Sequence, residues 1–206
     1  MCLLLAGCGA SLPQLRPGQA GDGEVYLYLQ PFPQDADRLA FSIDGVFALS
    51  RDGGEARLTV SLGEVRGSEL KRQRLLAVGS LAPGDYTGFS FRIGKASLQG
   101  ETGDSALPVP EAATKIDFPF TVGRRQGRVI AMVLRYAESV GSGFGFSPAF
   151  SLFVPDKPPT NLVGLVANSA SNDITVFNKK SFQVYDVIIT GRGPRSEERR
   201  VGKECQ

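Results

Sequence analysis

Two acidic residues near the start of the chain have the type and spacing of metal ligands. Asp35 and Asp37 stand two positions apart and offer carboxylate oxygens, which calcium prefers in proteins. Arg38, Leu39 and Ala40 follow them, where a regular calcium loop has a further oxygen ligand and a glycine. We therefore expect no regular calcium loop here, and an irregular calcium site at Asp35 and Asp37 stays open as an alternative.

A serine and a lysine three positions apart have the spacing of a catalytic serine motif. Ser68 and Lys71 match S-x-x-K, the nucleophile motif of penicillin-recognising enzymes. The K-T-G and S-D-N elements that accompany this motif are absent from the sequence. Because a pattern with two fixed positions often arises by chance, we expect no catalytic serine here.

Three glycines at alternate positions have the spacing of a phosphate-binding loop. They are Gly141, Gly143 and Gly145, but Phe146 and Pro148 follow in place of the start of a helix. The composition favours a bend in a strand at these glycines over a phosphate site.

The residue types that are missing exclude most familiar active sites. The sequence has no His, and its three cysteines are Cys2, Cys8 and Cys205. A Ser-His-Asp triad and imidazole metal ligands are therefore excluded, as are disulfides and thiolate sites in the body of the chain. We assign no catalytic residue, no metal ligand and no cofactor, and we predict that this chain is not an enzyme.

The charge of the chain does not favour nucleic acid or an anionic membrane as a partner. The formal net charge is +2. Basic residues cluster at Arg66, Lys71, Arg72 and Arg74, and again at Arg124, Arg125 and Arg128. Neither cluster has interleaved aromatic residues, so both are interpreted as solvated loops, and no nucleic-acid partner is predicted.

The N-terminus carries a short apolar run that ends in Leu5-Ala6-Gly7-Cys8. This run resembles the lipobox of bacterial lipoproteins, which implies cleavage before Cys8 and a diacylglycerol on its thiol. Residues 1–8 are then a truncated signal peptide, because the apolar stretch is shorter than the roughly 7–15 residues of a complete one. Residues 9–22, rich in glycine and proline, are predicted to be a flexible tether. A buried N-terminal strand is the alternative.

A lipid on Cys8 implies attachment to a membrane of the cell envelope, on the periplasmic or extracellular face. No stretch reaches the roughly 18 apolar residues of a membrane span, so lipid alone would be the anchor. Gly9 stands where an aspartate retains lipoproteins in the inner membrane, which favours the outer membrane. The alternative is a cytosolic β-protein in which these four residues are accidental.

Residues 23–154 have the pattern of an all-β domain. Short stretches of alternating apolar residues are separated by turn signals, as in Val25, Leu27 and Leu29, which is typical of a sandwich or barrel. Asp52-Gly53 predicts a tight hairpin. Residues 64–74 are the exception and are interpreted as one or two helical turns or a basic loop.

The run LLAVGSLAPGDYTGFSFRI is the most distinctive part of this domain, with a turn at Pro83-Gly84 and Tyr86 entering the next strand. It resembles the bacterial envelope family catalogued as domain of unknown function 4382. GEVYLYLQPFPQDADRLAFSIDGVFAL, a strand at Leu107-Pro108-Val109, and FGFSPAFSLFV fit the same pattern. The resemblance implies an immunoglobulin- or transthyretin-like β-sandwich, with Tyr86 as a buried ring with a polar tip, and it implies no activity.

A proline-rich stretch at residues 155–160 is predicted to be a stiff linker, and a different pattern follows it at 161–194. Three strands are expected at 162–167, 173–177 and 182–189. With Asn168, Asn172-Asp173 and Gly193-Pro194 at the turns, this segment resembles the first, truncated repeat of a YVTN-type β-propeller. One blade cannot bury its own faces, so the resemblance implies a poorly stable segment. The alternative is a three-stranded meander packed on the sandwich.

The last residues, 195–206, are nearly all polar and read RSEERRVGKECQ. Residues 195–205 resemble the translation of a common sequencing adapter, so this stretch is expected to be an artefact and disordered, outside the fold.

The fold class predicted for the chain is therefore all-β, a sandwich followed by an incomplete propeller blade. Its predicted function is a non-catalytic anchoring and interaction module, a fragment of a bacterial cell-envelope lipoprotein. Its predicted partners are the membrane, through Cys8, and an envelope protein or ligand, through the propeller. The alternative is that the parent is a propeller enzyme, a lactonase-like hydrolase with its active site in the missing blades. Later blades that bring His, Asp, Glu or Asn to the central channel would favour the enzyme.

Overall fold

The computed structural model describes residues 21–101, 103–140, 145–191 and 193–194, and these residues form two β-sheets. The strands, in chain order, are β1 (Gly23–Leu29), β2 (Leu39–Ser50), β3 (Glu55–Val60), β4 (Glu64–Arg66), β5 (Arg74–Leu81), β6 (Gly84–Gly100), β7 (Gly103–Leu107), β8 (Thr114–Val122), β9 (Gly127–Leu134), β10 (Phe150–Phe153), β11 (Val163–Asn168), β12 (Asp173–Asn178) and β13 (Val184–Ile189). The described helices are short: α1 (Tyr136–Ser139) and single 3-10 turns at Gln34–Ala36 and Thr160–Leu162. The prediction of an all-β chain is confirmed.

The larger sheet curls until its two halves face each other across one core. Its strand order is β10-β9-β1-β5-β3-β2-β6-β7, with β4 paired to β2 and β8 paired to β6. Strand β3 joins the halves, because Leu58 pairs with Val46 of β2 and Thr59 pairs with Val78 of β5. The two layers of the predicted sandwich are therefore continuous through β3.

Aromatic rings fill the space between the two halves. Phe89 and Phe91 are fully buried in β6, and the Phe89 ring stacks on Phe120 of β8 with centroids 5.0 Å apart. The Phe91 ring lies 5.5 Å from Phe150 of β10, and Phe41 of β2 lies 4.9 Å from Phe146. Apolar residues spaced by two along β2, β6 and β8 thus meet in one core, as the alternation predicted.

Two predicted local features are present. The chain turns between β2 and β3 at Asp52-Gly53, and Gly53 has φ +83, which a glycine adopts at little cost. Tyr86 is buried, its ring stacks on Phe120, and its hydroxyl donates to Ala82 O at 3.0 Å. This contact ties the ring to the turn that precedes its own strand, as the tyrosine corner does in immunoglobulin-type sandwiches.

Of the two interpretations of residues 64–74, the structure agrees with the basic loop, which contains one hydrogen-bonded turn and no regular helix. Glu64–Arg66 is a short strand paired with β2, and a hydrogen-bonded turn follows in which the Leu70 N–H donates to Arg66 O at 3.1 Å. Leu70 is buried and anchors this turn to the core, so the basic residues around it point outward and form this loop.

Two other strand predictions differ from the structure at their ends. Strand β7 ends at Leu107, since Pro108 has no N–H to continue a ladder, and Pro108 O instead accepts from the Phe146 N–H at 2.9 Å. The last strand of the sandwich, β10, begins at Phe150. Phe146 reaches the core from irregular backbone, and Val154 lies beyond the strand.

Strands β11, β12 and β13 form an antiparallel meander, with boundaries within two residues of those predicted. The stretch ahead of it is irregular, and Pro155 and Pro158 within that stretch are buried. The turn between β11 and β12 contains Asn172 with φ +60, and its carbonyl oxygen accepts from the Thr190 N–H at 2.8 Å. The meander packs on the outer face of the sandwich through β13, which contacts β9.

Candidate functional site

The residues singled out in the sequence do not form one site. Cys8 lies outside the described residues, as do Gly141, Gly143 and the stretch 195–206. Gly145 lies in irregular backbone ahead of β10 and not in a strand.

An ion pair on the surface joins the S-x-x-K spacing to the acidic pair at Asp35 and Asp37. Lys71 Nζ lies 2.6 Å from Asp37 Oδ1, so the lysine of the S-x-x-K spacing is occupied by one carboxylate of the acidic pair. Both side chains are about half exposed, and Ser68 is exposed in the turn after β4. Within the described ranges, no group of three or more His, Cys, Asp or Glu side chains has the geometry to hold a metal ion.

The basic clusters are mainly surface features. Arg66 lies 3.6 Å from Glu64 on the same strand, and Arg124 and Arg125 are exposed in the turn between β8 and β9. Arg128 differs, because its Nε is buried and has no hydrogen-bond partner among the described residues.

The feature that brings distant residues together is the contact between sandwich and meander, which we call the seam. Tyr26, Val78 and Val129 project from the outer face of β1, β5 and β9, and Val187 of β13 completes a small buried cluster with them. Gly127 of β9 allows the close approach, since a Cβ there would overlap the Val187 carbonyl oxygen. Apolar burial and one glycine therefore dock β13 on the sandwich.

Polar groups of the seam are enclosed with this cluster. Asp173 of β12 is only 3% exposed, and Asn168 Nδ2 donates to its Oδ1 at 2.6 Å. Burial raises the pKa of the Tyr28 phenol to about 12, and the negative charge of Asp173 adds to this shift. Burial also raises the pKa of Tyr26 well above its ordinary value, with further contributions from the hydrogen bond that Tyr26 donates to Glu24 and from nearby negative charge. Both phenols therefore keep their protons to a higher pH than an unperturbed tyrosine does.

A cleft opens at one end of the seam, between the loop ahead of β5 and the turn that joins β12 to β13. Gln73 bridges the two sides, because its Oε1 accepts from the Val184 N–H at 2.7 Å. The cleft has a volume of about 400 Å³, within the range of roughly 300–1,000 Å³ typical of small-molecule pockets. Its wall includes Gln30, Lys71, Arg72 and Phe182.

Two amide nitrogens at this cleft have no hydrogen-bond partner. Gln30 Nε2 and Gln73 Nε2 are both buried, and neither contacts an acceptor in the part of the chain that the structure describes. A buried donor without an acceptor costs about 1–3 kcal/mol, so each of these nitrogens calls for a partner, such as a water or a ligand. No sequence motif marks these glutamines, which lie far apart in the chain.

A second, smaller cavity of about 280 Å³ lies on the outer face of β4, β2, β6 and β7. Its floor is made by alanines, and its rim carries charges of both signs, including Lys95, Glu64 and Asp104. Lys95 Nζ lies 3.8 Å from Glu64, so these charges largely compensate each other. The groove therefore has less preference for ligand charge than the cleft at the seam.

The helices among the described residues are too short and too polar for any of them to cross a membrane.

Comparisons with protein-family models, with curated proteins and with solved structures found no match to this chain. The resemblances of the sandwich and of the meander to known families accordingly rest on the residues quoted above.

Proposed function

We propose that the chain is a non-catalytic anchoring and interaction module from a bacterial cell-envelope lipoprotein. Cys8 carries the lipid, residues 9–22 form the tether, and the β-sandwich stands on it as a spacer and binding domain. The meander then begins a β-propeller that presents a partner-binding surface.

The observation that carries this proposal is Leu5-Ala6-Gly7-Cys8, followed by a glycine- and proline-rich stretch that leads directly into a folded sandwich. Strand β1 begins at Gly23, fifteen residues after the cysteine, and is a central strand of the sheet. The tether therefore joins the fold at an interior strand that is hydrogen-bonded to β5 on one side and to β9 on the other. Such an arrangement suits a domain attached to a membrane by lipid.

Metabolic labelling with radioactive palmitate in the source bacterium tests the anchor. We expect label on the wild-type protein, no label on Cys8→Ser, and full label on Cys2→Ser, the matched control at the other N-terminal cysteine. Label retained by Cys8→Ser, or absent from the wild type, would contradict the lipid anchor.

A second candidate function is that the parent is a propeller enzyme, a lactonase-like hydrolase with its active site in further blades. The repeat resemblance of residues 161–194 is what supports a propeller parent, and the three strands of the meander lie within two residues of the positions that this repeat pattern predicts. This observation bears on the parent protein and leaves the described residues without a catalytic role.

Sequencing source DNA beyond the codon for Pro194 tests both candidates. Further repeats with a period of roughly 40 residues would support the propeller. His, Asp, Glu or Asn residues of those repeats in the central channel would then favour the enzyme. A reading frame that stops directly after Gln206 would contradict the propeller in both forms.

A further inference from the structure

The cleft at the end of the seam has a wall that is rich in hydrogen-bond donors and positive charge. Lys71 and Arg72 line it, and none of its described lining residues is a carboxylate. Lys71 is partly neutralised by Asp37, whereas Arg72 takes part in none of the ion pairs found among the described residues. The guanidinium is exposed and planar, which suits it to bind a carboxylate or phosphate through two hydrogen bonds.

The two unpartnered amides add neutral donors to this wall. Gln73 Oε1 is held by the Val184 N–H, so its orientation is fixed and the Nε2 is directed away from that bond. Gln30 follows β1 and is fixed by its own backbone, since its N–H donates to Met132 O at 2.8 Å. A ligand with several acceptor oxygens would satisfy both amide nitrogens. Both nitrogens are shielded from solvent and residues 181–183 line the same cleft, so we expect the turn at 181–183 to shift outward when a ligand binds.

An aromatic ring stands at the rim of the same cleft. Phe182 is 66% exposed and has φ +57, an uncommon backbone conformation for a bulky residue. Its ring is backed by Phe177, with centroids 6.3 Å apart and planes 14° from parallel. The Phe182 N–H donates to Asn178 O at 2.7 Å, which holds the turn in this conformation. The turn therefore presents an exposed ring beside the amides and the arginine.

We propose that this cleft binds an anionic saccharide, a sugar that carries a carboxylate or a phosphate. The sugar ring stacks on Phe182, its acidic group pairs with Arg72, and its hydroxyl oxygens accept from the amides of Gln30 and Gln73. A flat apolar ring, amide donors and one free guanidinium together match a ligand with a ring face, many oxygens and negative charge. A small inorganic anion has no ring face to stack on Phe182.

This binding goes beyond the proposed anchoring role and does not depend on it. The cleft lies wholly within residues of the sandwich and meander, and no step of the argument uses Cys8 or a membrane. A chain without lipid would bind the sugar equally well, so failure of one proposal leaves the other standing.

Isothermal titration calorimetry on the purified full chain tests the proposal with three probes. These are a trisaccharide of galacturonic acid, the matched neutral trisaccharide of galactose, and inorganic phosphate. We expect the acidic trisaccharide to bind at least about tenfold more tightly than either of the others, since it alone uses both the ring and the charge-assisted contacts.

Two variants at the cleft and one control assign the binding to these residues. Arg72→Gln should weaken the acidic trisaccharide by about tenfold and leave the neutral one unchanged. Phe182→Asn should weaken both sugars, and asparagine tolerates the positive φ of this turn. Arg57→Gln removes an exposed arginine of β3 outside the cleft and should change nothing. Circular dichroism confirms that the three variants are folded.

The proposal is overturned by any of four results. The first is that the acidic trisaccharide shows no saturable binding. The second is that the acidic and the neutral trisaccharide bind with equal affinity. Phosphate that binds as tightly as the acidic trisaccharide, with no effect of Phe182→Asn, would identify a plain anion site. Equal weakening by Arg57→Gln and Arg72→Gln would show attraction by net charge without a site.

Discussion

The sandwich and the meander are both antiparallel β-structure, but they bury their side chains very differently. In the sandwich, aromatic rings such as Phe89 and Phe91 are fully buried. In the meander, Val187 and Val176 are buried, whereas Leu165 and Ile188 remain 64% and 48% exposed. Since apolar burial is the dominant favourable term in folding, the sandwich has its own core and the meander depends on the seam.

The difference in burial also matters for the cleft, which forms where the meander meets the well-packed sandwich. The outer face of β1 carries Tyr26 and Tyr28, aromatic residues that a solvated sheet face does not need. The meander covers these tyrosines. At its edge it leaves a cleft in which the side-chain amides of Gln30 and Gln73 are buried without a hydrogen-bond partner. Segments that move when a ligand binds have low local stability, because few of their apolar side chains are buried. The meander is a segment of this kind, since Leu165 and Ile188 are exposed.

The largest effect is expected in the core of the sandwich. Phe89→Ala removes a fully buried ring from its stack on Phe120 and should lower the free energy of unfolding by about 3–5 kcal/mol. Leu165→Ala, in the exposed part of the meander, should change it by no more than about 0.5 kcal/mol. Urea unfolding followed by circular dichroism measures both. Similar losses for the two variants would abolish the distinction between the regions.

The second-largest effect is expected for Gly127→Ala, which should release the meander from the sandwich while the sandwich stays folded. In Gly127→Ala the new methyl group overlaps the Val187 carbonyl oxygen, so β13 must lift from β9. We expect trypsin to cleave after Lys179 and Lys180 about tenfold faster, as cleavage follows the population of the opened state. Gly63→Ala is the matched control, because a Cβ there meets open space. Unchanged cleavage in Gly127→Ala would show that the seam does not hold the meander.

A third, smaller effect concerns alkaline pH. The pKa of Tyr28 is raised to about 12 in the folded chain, from 10.0 for an unperturbed tyrosine. Between these values the unfolded chain has lost the proton and the folded chain retains it, so stability falls as pH rises from about 10 to 12. Tyr28→Phe should therefore lose less stability across this window than the wild type, as measured by urea unfolding at each pH.

Removal of the neighbouring charge gives an independent check on this titration. Asp173→Asn keeps an oxygen to accept from Asn168 and removes the negative charge that raises the Tyr28 pKa. Ultraviolet titration of the phenolate should then show that part of the late-ionising signal moves to lower pH. An unchanged titration curve in Asp173→Asn would show that the Asp173 charge does not act on Tyr28.

The smallest effect is expected for a single hydrogen bond within the sandwich. Tyr86→Phe keeps the ring in its stack on Phe120 and removes the bond to Ala82 O, which should cost about 1 kcal/mol of unfolding free energy. Thr87→Val removes a neighbouring exposed bond to Leu49 O and should cost less than about 0.5 kcal/mol. Equal losses in urea unfolding would mean that the tyrosine contact has no special role in the corner.

The parts of the fold that the sequence predicts well are those with one buried face. The alternation along β2, β6 and β8, the turn at Asp52-Gly53 and the buried Tyr86 follow from local residue types alone. The residue pattern does not predict strand β5, because Leu76, Ala77, Val78 and Gly79 are all buried and a strand covered on both faces has no period of two.

The seam and its cleft could not be predicted, for a different reason. Gln73 and Val184 are 111 positions apart, and neither belongs to a motif. Gly127, which follows two arginines in a turn, gives no sign that another strand lies on it. One signal was present, since Tyr26 and Tyr28 make the outer face of β1 apolar as well as the inner one. A second layer of packing on β1 could have been inferred from it.

The most direct test of the account is hydrogen exchange, read by mass spectrometry, on the wild-type chain and on Gly127→Ala. We predict intermediate protection for Val184–Ile189 in the wild type, weaker than in Gly84–Gly100 of the sandwich core. That protection should be lost in Gly127→Ala while the core strand keeps its own. If Val184–Ile189 exchanges as fast as an unstructured peptide in the wild type, or is unaffected by the substitution, the docked meander and the cleft that it forms are wrong.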